Sequence, residues 1–214
     1  MFLQVVRRMK ASQALLTQAD QAIGDGDHGV GMARGFEAVR RKLEGKSFAS
    51  LAELTSAIGT TLMASIGGAA GAVFGTWFRG GAKGLGERQA LDSEALSLWL
   101  WDGLQAVKAR GKASPGDKTM VDALEPAALG ARECATAPLD VALTAVAEAA
   151  RQGMERTREM VAAVGKARPL GERSLGHPDP GAVSTYLILT AMAEYAAQAE
   201  GGLKGPILRS SRHG

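Results

Sequence analysis

Several residue types and patterns are scarce in this chain. Aromatic side chains make up only 5% of its 214 residues, too few for a platform that stacks bases. Lys and Arg number 25 against 22 Asp and Glu, a net charge of +3, with no dense basic run. No nucleic-acid partner is expected from that balance. A single cysteine, Cys134, rules out an internal disulfide and fits a reducing compartment. No apolar run approaches the ~20 residues that a spanning helix needs, so no membrane is expected. The opening MFLQVVRRMK puts its apolar residues before its charges, the reverse of a signal peptide. These absences together predict a cytoplasmic protein. No internal repeat or linker is evident. One domain is expected over 1–200, with a tail, GGLKGPILRSSRHG, over 201–214.

Alternating β-type runs are also rare, and helical spacing takes their place. Leu51, Leu54, Ile58 and Leu62 mark one apolar face; Leu96, Trp99, Leu104 and Val107 mark another. Eight such segments fall at about 3–20, 30–43, 49–65, 69–79, 91–110, 117–131, 138–164 and 180–200. Asp117 is expected to cap the sixth. Asp179 and Pro180 read as the cap and first position of the eighth. The fold class predicted is all-α, an eight-helix up-and-down antiparallel bundle or barrel. In that topology alternate connections share one end. Those connections are AIGDGDHGVG, SIGGAAGA, GKASPGDKT and GKARPLGERSLGHPDPG, the links richest in Gly, Asp and Pro. A functional site belongs there. The links at the other end look ordinary, apart from the Gly-rich RGGAKGLGER.

The first link carries the chemistry. Gly24, Gly26 and Gly29 spell G-x-G-x-x-G, but a dinucleotide loop follows a buried strand, and here the preceding residues read as helix. The acidic residues are more telling. Asp20, Asp25 and Asp27 lie within eight residues, and the glycines let the loop converge them. Two bare carboxylates 4 Å apart repel by about 4 kcal/mol at an effective dielectric near 20. A cation relieves this, and an all-oxygen set suits Mg²⁺ or Ca²⁺. An EF-hand is excluded, because its twelfth position would be Phe36. A Mg²⁺ held by few carboxylates keeps positions open for phosphate. The small residues of GGAAGA open a helix whose N-terminus favours anions. Lys118 and Thr119 stand near the same end, and Lys166, Arg168 and Arg173 add positive charge. A solvated acidic turn and small-residue helix packing are the structural alternatives.

Four segments, IGDGDHG, GGAAGAVFGTWFRG, GDKTMVDAL and LGERSLGHPDPGAVST, resemble in order the L, or nucleotide-binding, subunit of dihydroxyacetone kinases. The resemblance implies a helical barrel with ADP or ATP bound at one end through two Mg²⁺. It implies metal ligation by Asp20, Asp25 and Asp27. It also implies nucleotide contacts from His28, Gly29, Val30, Gly31, Ala69, Ala70, Gly111, Thr119, Lys166, Asp179, Pro180 and Gly181. Two positions depart from the family pattern: Ala70 replaces a serine and Lys166 an arginine, for which Arg168 compensates. Lys keeps the charge but not the bidentate fork. The implied activity is phosphoryl transfer to a keto-sugar held by a separate K subunit, with no side-chain nucleophile on this chain. ATP, or bound ADP recharged by a phosphotransferase-system protein, is the donor. A homodimer is expected. The alternatives are a nucleotide- or metal-binding regulatory module without catalysis, and a lipid-carrying barrel.

Overall fold

The computed structural model describes residues 1–203; most of the expected tail, 204–214, lies outside the described residues. The described residues form nine α-helices and no strand. They are α1 (Phe2–Ala11), α2 (Gln13–Ile23), α3 (His28–Leu43), α4 (Leu51–Ser65), α5 (Gly68–Gly81), α6 (Ser93–Gly111), α7 (Val121–Glu133), α8 (Leu139–Arg156) and α9 (Pro180–Leu203). Short 3₁₀ turns occupy Ala82–Leu85, Thr157–Glu159 and Arg168–Ser174. None of the helices is long and apolar enough to cross a membrane.

Local chemistry sets several boundaries. Ser50 caps α4 by accepting from the Glu53 backbone N–H, and the Glu53 carboxylate accepts from Ala49 in return. Asp92 caps α6 through the Ala95 N–H at 2.7 Å. Three expectations are corrected. The first segment divides at Ser12 into α1 and α2. The sixth starts at Val121 with Met120 at its cap position, and Asp117 instead accepts from Ser114 N at 2.7 Å. The seventh ends at Arg156, not near 164.

From α2 onward each helix packs on the next, and α1 and α2 pack against α9. An Arg8–Glu194 ion pair joins α1 to α9. The few aromatics concentrate in the core: Phe36, Phe74, Phe78, Trp77 and Trp99 are all buried. Trp77 of α5 and Trp99 of α6 stack at 5.4 Å. The pair is reciprocal, with Trp77 lying over Gly103 of α6 and Trp99 over Gly81 of α5. A Cβ at Gly103 would meet Trp77 Cδ1 at 2.5 Å and the Trp77 carbonyl at 2.9 Å.

Gly103→Ala therefore tests the crossing. Ala gains ~1 kcal/mol of helix propensity, but overpacking costs about 1–3 kcal/mol. Net destabilisation is expected in urea unfolding, and a stabilised variant would contradict the crossing as described.

Candidate metal and nucleotide site

The four Gly-, Asp- and Pro-rich links do meet at one end. Gly31, in the first turn of α3, faces Ile66 at the end of α4. Gly111, at the end of α6, has Val73 of α5 as its neighbour. The Ala163 N–H, beyond α8, donates to the Asp117 carbonyl in the α6–α7 link at 3.2 Å. Lys166, in the α8–α9 link, reaches the α2–α3 link.

Asp20, Asp25 and Asp27 each bring a carboxylate oxygen within 4.8 Å of the others. Asp20 is buried on the last turn of α2 and accepts the His28 backbone N–H at 3.1 Å. It thereby caps α3 across the loop, where the helix dipole favours negative charge. Gly24 is required here, since a Cβ would collide with Asp20 Oδ1. Gly26 turns the chain with a φ of +80°, which favours glycine. Asp25 and Asp27 are exposed, and Lys166 Nζ bonds both, at 2.5 and 3.1 Å. That bond holds the Asp25 carboxyl below the usual carboxylate range and raises the lysine. The donor set is all oxygen and already attracts a cation, so it fits a hard divalent ion.

His28 is buried, and its Nε2 shares a 2.7 Å hydrogen bond with Ser184 Oγ of α9. Burial lowers the His28 pKa against the pull of Asp20 and Asp27, so the ring is neutral at pH 7. Gly29 presses on the Gln13 carbonyl and Thr17, leaving no room for a Cβ. Val30 is exposed beside it. Ala69 and Ala70 lie in the first turn of α5, whose cap residue, Gly67, supplies no side-chain acceptor. Arg34 secures the turn before it by donating to the Ser65 and Ile66 carbonyls at 2.7 and 2.5 Å. Thr119 N donates to Asp122 Oδ2 at 2.7 Å. Arg168 is exposed on a 3₁₀ turn and has no ion pair among the described residues. Asp179 caps α9 through Ala182 N at 2.7 Å, Pro180 follows as the first helical residue, and Gly181 lies against the Asp179 carboxylate.

Sequence reasoning placed Lys118 among the charges near the ligand, but it is buried. Ser184 and Asp122 were not singled out at all. Ser184 lies one turn beyond Pro180 on the same helix, which was the available signal.

The fold and this loop end define an all-helical protein with a carboxylate cluster beside the N-termini of several helices. The DAK2 domain family matches residues 22–194, and the chain belongs to that family. It is 36% identical over 187 residues to the ADP-binding subunit DhaL of PEP-dependent dihydroxyacetone kinase 1 from Listeria innocua, covering 87% of this chain and 89% of that one. It is 41% identical over 180 residues to the corresponding Escherichia coli subunit, with 83% and 86% covered. The solved dihydroxyacetone kinase of C. freundii superposes with a TM-score of 0.71 at 30% identity, over 91% of this chain and 33% of that longer one. That kinase is also known in complex with AMP-PNP and Mg²⁺, which superposes with a TM-score of 0.70.

Asp179 gives a pH test. Burial, with Asp122 adding, pushes its carboxyl up to about 7 against the opposing pull of the Ala182 N–H and Lys118. The unfolded value is near 3.9. The folded chain thus keeps a proton that the unfolded chain has released between these values, and stability falls as pH rises through about 7. Asp179→Asn retains a cap acceptor and removes the ionisation. It is expected to flatten the pH dependence of urea unfolding from about pH 4 to 7. An unchanged slope would count against the assignment.

Proposed function

We propose that this chain is the Mg-nucleotide-binding subunit of a dihydroxyacetone-type kinase. It forms a single nucleotide-binding helical domain over residues 1–200. The observation that carries the reading is the convergence of Asp20, Asp25 and Asp27 at a loop end that also presents the N-termini of α3, α5 and α9. In this reading the three carboxylates hold two Mg²⁺, which when bound neutralise phosphate charge. His28 to Gly31, with Ala69 and Ala70, border the phosphates; the His28 N–H is held by Asp20 and the Gly31 N–H by the Asp27 carbonyl, so Gly29, Val30, Ala69 and Ala70 offer the N–H donors to phosphate oxygens. Gly111, Thr119 and Asp179 to Gly181 line the rest of the nucleotide, with Lys166 and Arg168 supplying positive charge. No side chain acts as nucleophile; catalysis is positioning plus electrostatics.

The phosphoryl acceptor is a keto-sugar, dihydroxyacetone or a close relative, bound to a separate K subunit. The relatives that this chain covers most fully are PEP-dependent. They support the variant in which ADP stays bound and a phosphotransferase-system protein recharges it. The chain works in the cytoplasm as a homodimer in this reading.

Asp25→Ala is expected to abolish Mg-ADP binding in calorimetry while helical circular dichroism stays unchanged. Undiminished affinity would remove the metal assignment. For the activity, the purified chain with Mg-ATP or a phosphotransferase donor is expected to phosphorylate dihydroxyacetone only when a K-type subunit is added. Nucleotide binding without transfer in any such mixture would favour the regulatory reading.

A further inference from the structure

Lys118 is a lysine in two unfavourable situations. Its backbone is left-handed, with a φ of +61°, in a turn that already contains Gly116 at +94°. Its side chain is buried, with 2% exposure, and desolvation lowers its pKa. A left-handed non-glycine residue and a buried ammonium each cost free energy. Closing the α6–α7 link does not need either. Asp122 already holds that turn, accepting from Gly116 N at 2.5 Å and Thr119 N at 2.7 Å.

The left-handed backbone goes with an inward path for the side chain. Lys118 Nζ donates to the Thr157 carbonyl beyond α8 and to the His177 carbonyl before α9, the latter at 2.6 Å. The Thr157 hydroxyl accepts from Asp179 N at 2.9 Å. Asp179 in turn caps α9. One ammonium therefore ties together three segments from distant parts of the sequence. Two of them carry residues assigned above to the nucleotide: Thr119, next to Lys118 in the chain, and Asp179 to Gly181. An apolar side chain of similar length would fill the space but leave both carbonyls without a donor.

We propose that Lys118 is a positioning residue of the nucleotide site, setting Thr119 and the Asp179–Gly181 turn in one fixed frame. The proposal rests on the nucleotide-binding reading. Its test compares Lys118→Met with Lys118→Arg in ADP calorimetry at saturating Mg²⁺, at a temperature where circular dichroism shows both folded. The Met variant is expected to bind ADP at least about tenfold more weakly, and Arg, which keeps donors, to stay within about threefold. Amide exchange over 176–183 is expected to quicken in Met and not in Arg. If the Met variant does not fold, Thr157→Val serves, because it removes the acceptor for Asp179 N and leaves the lysine in place. It is expected to weaken ADP binding by about tenfold as well. Parental affinity in the folded Met variant, or in Thr157→Val where that variant is used, overturns the proposal, as does equal loss in Met and Arg. Failure of the unaltered chain to bind ADP at all overturns the nucleotide reading and this proposal with it, a result distinct from selective loss.

Discussion

The mutual repulsion of Asp20, Asp25 and Asp27 is the constraint around which the loop end is built. Three carboxylates within 4.8 Å cannot be held by a flexible loop alone. They are met in two ways. Asp20 is anchored on helical backbone and given the N–H of His28. Asp25 and Asp27 share the Lys166 ammonium. The missing Cβ of Gly24 lets the Asp20 carboxylate lie against the loop backbone. His28 then couples the cluster to α9 through Ser184, so the acidic loop is tied to the helix that also presents Asp179.

That arrangement depends on a scaffold that does not shift, and glycine supplies it at the crossing of α5 with α6. Gly80 lies against Ala106, Gly81 against Trp99 and Gly84 against Asp102. Three of the four glycines of the RGGAKGLGER segment, out of place at the far end of the molecule, are explained by these close approaches, and the fourth, Gly86, by its φ of +52°. The segment needs no ligand. The same crossing buries Trp77 and Trp99, so the scarce large aromatics serve as core.

Much of this was legible in the sequence because it is local. Helical spacing located the segments, and the alternation of connections identified the end where the four links meet. The acidic loop could be read from residue type and spacing alone. What was not legible is tertiary in origin. Nothing in MKASQALL breaks a helix, yet the chain divides at Ser12, next to the place where Gly29 of α3 presses on Gln13 and Thr17. Apolar spacing runs on past Arg156, but there the chain tightens into a 3₁₀ turn, in which the Thr157 carbonyl accepts both the Met160 N–H and the Lys118 ammonium. The burial of Lys118 was not legible either, because it follows from a left-handed turn and from partners about 40 and 60 residues away.

The two departures from the family pattern bear on the same end. Ala70 has no hydroxyl and Gly67 no side chain, so the start of α5 has only backbone N–H groups to offer an anion. Such donors are fixed by the helix and lose little freedom on binding, but they read charge more than shape. Lys166 is a point charge where an arginine would be a fork. A point charge can sit between Asp25 and Asp27, as it does here, and can also turn toward a phosphate without having to match its plane. In the proposed nucleotide site, selectivity then rests on the rigid parts around it: the Asp20-capped start of α3, and the Asp179-capped start of α9.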